Sequence, residues 1–279
     1  GLGDVYKRQS VNSTRKITSA MKMVASAKLH KAQAAIESML PYERRLHHIL
    51  TDFMSNCTEV TSPFIVKREV KKVAVVVFAS NTSLCGGFNA NVIRHLVDLL
   101  AEYKPLGLEN ILVFPVGKKV ADAVRKLGFR IEGDFQHMAD KPSYQEAADL
   151  AADLMKRFLH GDVDKVELLY NHFKSTASQI LTRETYLPID LNNEKKEEER
   201  TIDYILEPSA EELMQEMLPK VLRMKMFTVL LDSNAAEHAA RTMAMQIATD
   251  NANELLQELT VMYLSLIHIS EPTRPLYIS

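Results

Sequence analysis

"KVLRMKMFTVLLDSNAAEHAARTMAMQIATDNANELLQELTVMY", residues 220–263, contains neither glycine nor proline. Within it Met245, Ala248, Ala252, Leu255, Leu259 and Met262 recur at alternating steps of three and four, the spacing of a coiled-coil seam. At about 1.5 Å per residue such a helix spans roughly 65 Å, too long to be contained in a domain of this chain's size. The stretch therefore predicts a helix that leaves the body of the protein and lies against a second helix.

The other end of the chain offers that second helix. "STRKITSAMKMVASAKLHKAQAAI", residues 13–36, repeats small residues and has no acid, and residues 5–36 hold seven Lys/Arg and no Asp/Glu. Read alone, it suits a nucleic-acid binder, a membrane-surface helix or one arm of a coiled coil. The net charge of −2 over 279 residues argues against a protein built as a whole to coat nucleic acid. All nine glycines lie outside residues 4–85 and 162–279, whereas eleven of thirteen methionines lie at or before Met54 or at or after Met214. Glycine punctuates turns, so glycine-free flanks sustain long helices, and methionine suits surfaces that meet more than one partner shape. The plan is helix, compact centre, helix.

The centre alternates strands with helices. "KKVAVVVFAS" (71–80) is a β-branched run expected of a strand buried on both faces, and "NILVFPVG" (110–117) and "KVELLYNHF" (165–173) are further strands. "SQILTRETYLPI" (178–189) reads as a fourth strand at an edge. Helices are expected over 89–103, 118–127 and 143–159, the last with Ser143 and Glu146 as a capping box. This order predicts an open, mostly parallel sheet with right-handed crossovers. "NNEKKEEERTIDY" (192–204) reads as a solvated connector. Ser209 and Glu212 form a second capping box behind Pro208, and Pro219 suits the first turn of another helix.

Chemistry has few footholds. Cys57 and Cys85 are too few for a disulfide framework, and no His/Cys spacing points to zinc. No stretch approaches the ~20 apolar residues of a membrane span, so membrane association comes only through a partner. "SNTSLCGGFNAN" (80–91) follows a strand and opens a helix, where glycine-rich loops cradle phosphates, yet it matches neither phosphate-loop pattern and holds no lysine. It reads as a tight turn with Asn89 or Asn91 capping a helix, and Cys85 as a buried thiol. His238 beside Glu237 and Arg241 reads as a solvated or inter-subunit face of the long helix. No catalytic residue, cofactor or metal site is expected.

Four separated stretches carry a resemblance. "STRKITSAMKMVASAKLHKAQ", "SLCGGFNANV", "IDYILEPSAEEL" and the "NAAEHAARTMAMQIATDNA" run, with Ala236 where Ser is usual, resemble the gamma subunits of F-type ATP synthases in the right order over roughly residues 10–263. The resemblance implies an α/β protein: a long antiparallel coiled coil of the terminal helices plus a central Rossmann-like open sheet domain. It divides the chain into a shaft (10–56 and 209–263), a central domain (70–191) and a connector (192–208). It implies a non-catalytic rotor that couples proton flow through a membrane ring of c subunits to ATP synthesis in a ring of alpha and beta subunits. The epsilon subunit is implied beside the foot, at the cytoplasmic face of a bacterial inner membrane.

The resemblance also assigns interface residues. Ala20, Ala25, Ala27, Ala32 and Ala35 let the partner helix approach, while Lys16, Lys22, Lys28 and Lys31 face acidic surfaces of the ring. Met21 and Met23 lie on the shaft near the beta-subunit lever, with Met21 the one facing it, and Arg241 lies on the facing helix. Glu207 falls at the foot near the c ring. Residues 1–9 and 264–279 depart from the family and are expected to be non-native flanks. The rivals are a nucleic-acid-binding regulator using the basic helix, and an enzyme of the doubly wound class.

Overall fold

The computed structural model describes residues 2–56, 62–189 and 210–270. Two long helices, α1 (Leu2–Asn56) and α6 (Ala210–Ser270), flank a five-stranded body. The strands are β1 (Val73–Phe78), β2 (Ile111–Val116), β3 (Arg130–Ile131), β4 (Lys165–Ser175) and β5 (Ser178–Leu187). The helices between them are α2 (Phe88–Tyr103), α3 (Lys118–Leu127), the short α4 (Gln136–Asp140) and α5 (Tyr144–His160). In the sheet the order is β3-β2-β1-β4-β5, parallel except for β5 at the edge. The expected mostly parallel sheet is present; β3 and α4 are additions that no sequence period announced, being too short to show one.

Every residue of β1 and β2 is buried. Ala74, Val76 and Phe78 point into a core shared with Leu150 and Leu154 of α5. Val73, Val75 and Val77 point the other way, onto Leu96 and Leu100 of α2 and Val120 and Val124 of α3. A strand covered on both faces gains from a continuous apolar run, which is why β1 shows no alternation. Each large side chain so buried is worth about 1.5–3 kcal/mol relative to exposure.

The lower half of α6 belongs to the body as well. Leu218, Leu222, Met226, Phe227 and Leu230 join the α5 core, so the expected separation of body from shaft is incomplete. That anchorage accounts for Pro219. It lies inside α6 rather than opening a new helix, and the buried Leu218 and Leu222 on either side hold the helix across the hydrogen bond that proline cannot make.

The upper half of α6 runs antiparallel to α1. Leu29 and Ala32 meet Ala235 and Ala239, the Thr18 and Thr249 hydroxyls lie 2.8 Å apart, and the Arg8 guanidinium stands 5.4 Å above the Tyr263 ring. Ascending numbers on one helix thus meet descending numbers on the other.

Several local expectations fail, each for a physical reason. Leu255 and Met262 are exposed, and the seam passes through Thr249, Ala252, Leu256, Leu259 and Tyr263 instead. After Ala252 the four-residue step comes before the three, and the threonines that read as polar satisfy each other inside the seam. Ala25 and Ala32 are buried as expected, whereas Ala20 and Ala27 face outward. Ser143 precedes α5 without a side-chain cap, and the Glu146 carboxylate, the other half of the expected box, lies instead 3.0 Å from Nδ1 of His137. The helices also run beyond the residues expected to end them, to Leu2 and Ser270. Ser209 of the second capping box and the whole connector lie outside the described residues.

Candidate functional site

In doubly wound sheets ligands bind outside the carboxyl ends of the strands. Here α6 lies across that edge, and the loop after β1 is built to receive it. The Ser80 N–H donates to Oδ1 of Asn89 at 3.1 Å, and the Ser80 hydroxyl donates to the Thr82 carbonyl at 2.6 Å. Nδ2 of Asn89 donates to Oγ of Ser80 at 2.7 Å and contacts Sγ of Cys85 at 3.2 Å. Asn89 therefore ties the loop to itself and caps no helix; Gly87 holds the cap position of α2, and Asn91 instead accepts from Arg94 at 3.3 Å. Leu84 adopts φ 67° and Gly86 φ 59°, turning the chain sharply beneath α6.

Cys85, buried as expected, and Phe88 pack on Ala236 and Ala240. A Cβ built on Gly86 would stand 3.9 Å from the Ala244 side chain, so the loop lies close along the helix. Nearby, Gly117 adopts φ 115°, and a Cβ there would overlap the Ala79 carbonyl, so the position takes only glycine. The cavity left between β1, β2 and α6 is about 10 Å³, lined in part by Phe78, Ala79, Ser233, Asn234 and Glu237. That is the room of a single water. Along the loop itself the shaft is in direct contact, with Cys85 and Phe88 on Ala236 and Ala240 and the Thr82 hydroxyl held by Arg241.

Glu237, His238 and Arg241, expected on a solvated or inter-subunit face, are packed between shaft and body. Nη1 of Arg241 donates to Oε1 of Glu237 at 2.6 Å, and its Nη2 donates to Oγ1 of Thr82 at 2.8 Å. Burial pushes the Glu237 carboxyl above its ordinary range, only partly offset by Arg241. His238 is 6% exposed with Nδ1 unpartnered, and burial together with the positive Arg241 and Lys28 holds its pKa down at about 4. The sequence concealed this arrangement because nothing marks Thr82. The available signal was the pair of alanine faces on α6, Ala235 with Ala239 and Ala236 with Ala240, which require close neighbours on two sides.

A second polar cluster lies between β4, β5 and α2. Burial would push the Glu167 carboxyl up, but bonds from Lys165 (2.6 Å), Arg183 (3.0 Å) and Tyr103 (2.9 Å) hold it below the usual carboxylate range. Every partner is satisfied, so the cluster pins the edge strand.

On the shaft, Lys16, Lys28 and Lys31 are exposed, Lys22 and Met21 are half-buried, and Met23 is 69% exposed. Arg241 lies on the facing helix α6, with its side chain held by Glu237 and by Thr82 of the body. Glu207 lies outside the described residues. Among the described residues no group of His, Cys, Asp and Glu side chains could hold a metal ion.

A sequence profile of the family described as ATP synthase matches residues 5–265. The chain is 80% identical over 256 residues to a Phocaeicola vulgatus protein named ATP synthase gamma chain, covering 91% of this chain and 89% of that one. It is 60% identical over 265 residues to the protein of the same name from Bacteroides thetaiotaomicron, with the same coverage. Among solved structures, the fold is similar to a chain of the Euglena gracilis mitochondrial ATP synthase rotor, with a TM-score of 0.61 at 18% identity over 96% of this chain and 99% of that chain. It is also similar to one from the central stalk and c-ring structure of Tetrahymena thermophila mitochondrial ATP synthase, at 0.56 and 23% identity over 83% and 99%.

Proposed function

The chain belongs to the family of ATP synthase gamma chains, and from that premise we infer that it is the central-stalk rotor subunit of an F-type ATP synthase. The observation that carries this reading is one helix with two environments. The lower half of α6 is built into the core of the sheet body, and its upper half leaves that body paired with α1. A turn imposed on the body is thereby a turn of the shaft.

The shaft has unlike flanks. Lys16, Lys28 and Lys31 are exposed on α1, while Asp250, Glu254 and Glu258 are exposed on α6. A rotor can bias a surrounding site only by contacting its conformations unequally, and a rod basic on one flank and acidic on the other does so at every angle. The partners are the alpha and beta subunits around the shaft, with epsilon and the c ring at the foot, where Glu207 belongs. The foot thus stands at the cytoplasmic face of a bacterial inner membrane. Among the described residues no helix is long and apolar enough to cross a membrane, so membrane contact runs through those partners. The chain itself makes and breaks no bond and takes no cofactor. No feature favours the nucleic-acid reading, because the basic flank of α1 lacks the interleaved aromatic residues such binding uses.

Met21 and Met23 test the reading. Two residues apart, they project about 200° from one another. The resemblance turns Met21 to the beta lever, while exposure favours Met23. In the complex with alpha and beta subunits, a lysine at the ring-facing position creates a misplaced ion pair. At ~1–3 kcal/mol that pair slows turnover by roughly one to two decades where its release limits the cycle. The measurement is proton pumping per ATP hydrolysed for Met21→Lys and Met23→Lys. Unchanged coupling in both, or failure of the chain to co-purify with alpha and beta, sinks the reading.

A further inference from the structure

The body holds α6 through an ordered series of polar contacts. From the foot upward, Tyr186 donates its hydroxyl to the Leu222 carbonyl (2.8 Å), Lys225 pairs with Glu184 (2.8 Å), and Asp232 accepts from the Phe173 N–H (2.9 Å). Asn234 then donates to the Ala139 carbonyl at 2.9 Å. The last in the series is Arg241 with Thr82. Above it, the polar partners of α6 come from α1, where Thr18 meets Thr249 and Arg15 donates to Asn253 at 3.3 Å.

We propose that Thr82, Arg241 and Glu237 form a collar that fixes where the shaft leaves the body, with Thr82 and Arg241 as positioning residues for torque transfer. The torque role rests on the rotor reading above. A rod held below and loaded above carries its largest bending moment at the edge of its clamp, so a loose edge lets the shaft lean there and loses part of the foot's rotation before the tip. The loop is pre-formed to grip the helix there. Ser80 holds the Thr82 carbonyl and Asn89 binds the Ser80 backbone and hydroxyl, which leaves the Thr82 hydroxyl aimed at α6. The Arg241 and Glu237 side chains are only 12% and 9% exposed. Shielding from water keeps their pair stiff, and the planar guanidinium serves two elements at once through different nitrogens, which an ammonium point charge does less well.

Two measurements separate the collar from the rotor reading. In the isolated chain, amide hydrogen exchange across residues 82–90 should accelerate about tenfold or more in Thr82→Val and Arg241→Gln and stay unchanged in Thr82→Ser. In the complete complex, proton pumping per ATP should fall roughly two- to fivefold in both damaging variants while ATP hydrolysis stays within about twofold, and the double variant should be no worse than Arg241→Gln. Unchanged exchange in both variants overturns the collar. Additive losses, or normal pumping despite faster exchange, overturn the torque role. A silent Thr82→Val beside a damaging Arg241→Gln assigns Arg241 to the ring instead. If exchange responds but the wild-type complex does not pump, the torque role falls with the rotor reading and the collar stands as a fastening alone.

Discussion

The body and the shaft solve the same problem in opposite ways. In the body each apolar strand face meets a helix of the same chain, and Phe78, Phe114 and Phe158 are almost wholly enclosed. In the upper shaft two helices cover each other along one seam only, leaving Ile17, Met23, Val24, Ile247 and Met262 in the open. A two-helix rod has too little inner surface to hide its apolar residues, and exposed apolar stripes of this extent mark a surface made for other proteins. The body closes a core within the chain and exposes apolar residues only outside it, such as Val97, Leu127 and Leu159, whereas the upper shaft has no core beyond its single seam.

That contrast can be broken first in the body. Phe158→Ala removes a fully buried ring from the α5 core, and should cost ~3–5 kcal/mol in urea unfolding. A loss under about 1 kcal/mol would mean that the body is loosely packed and the contrast false.

Acid should act next, at the junction. The pKa of His238 in the folded chain, about 4, lies below its ordinary 6.5. The unfolded chain therefore binds more protons between those values, and stability present above pH 6.5 is lost as pH falls toward 4, by at most about 1.4 kcal/mol per pH unit. Glu237, raised by burial, contributes with the opposite sign just above its ordinary 4.5. The His238 share is therefore the difference between wild type and His238→Gln in thermal melts across that range. Parallel profiles for the two chains would show that His238 is not buried neutral.

The smallest effect belongs to the shaft seam. Ala239 is fully buried against Leu29 and Ala32, so Ala239→Leu should force the helices apart and cost ~1–3 kcal/mol. Hydrogen exchange should localise the loss to the upper parts of α1 and α6 and leave β1 and β2 protected. Loss spread evenly over the body would make shaft and body one cooperative unit and erase the difference between them.

The sequence by itself determined the long helices, the strand–helix alternation and the edge position of β5. Helix period, glycine placement and β-branched runs are local signals, and each acts over one element. Tertiary structure alone decided which residues occupy the seam, because the choice between Leu255 and Leu256 depends on where α1 lies. It also decided that Pro219 passes through a continuous helix, since neighbours buried in a distant core hold it there. The meaning of the loop at 80–91 was decided in the same way. The sequence reads it as a tight turn, and only the arrival of α6, more than a hundred residues later in the chain, sets Ala236 and Ala240 on Cys85 and Phe88 and gives Thr82 an arginine to hold.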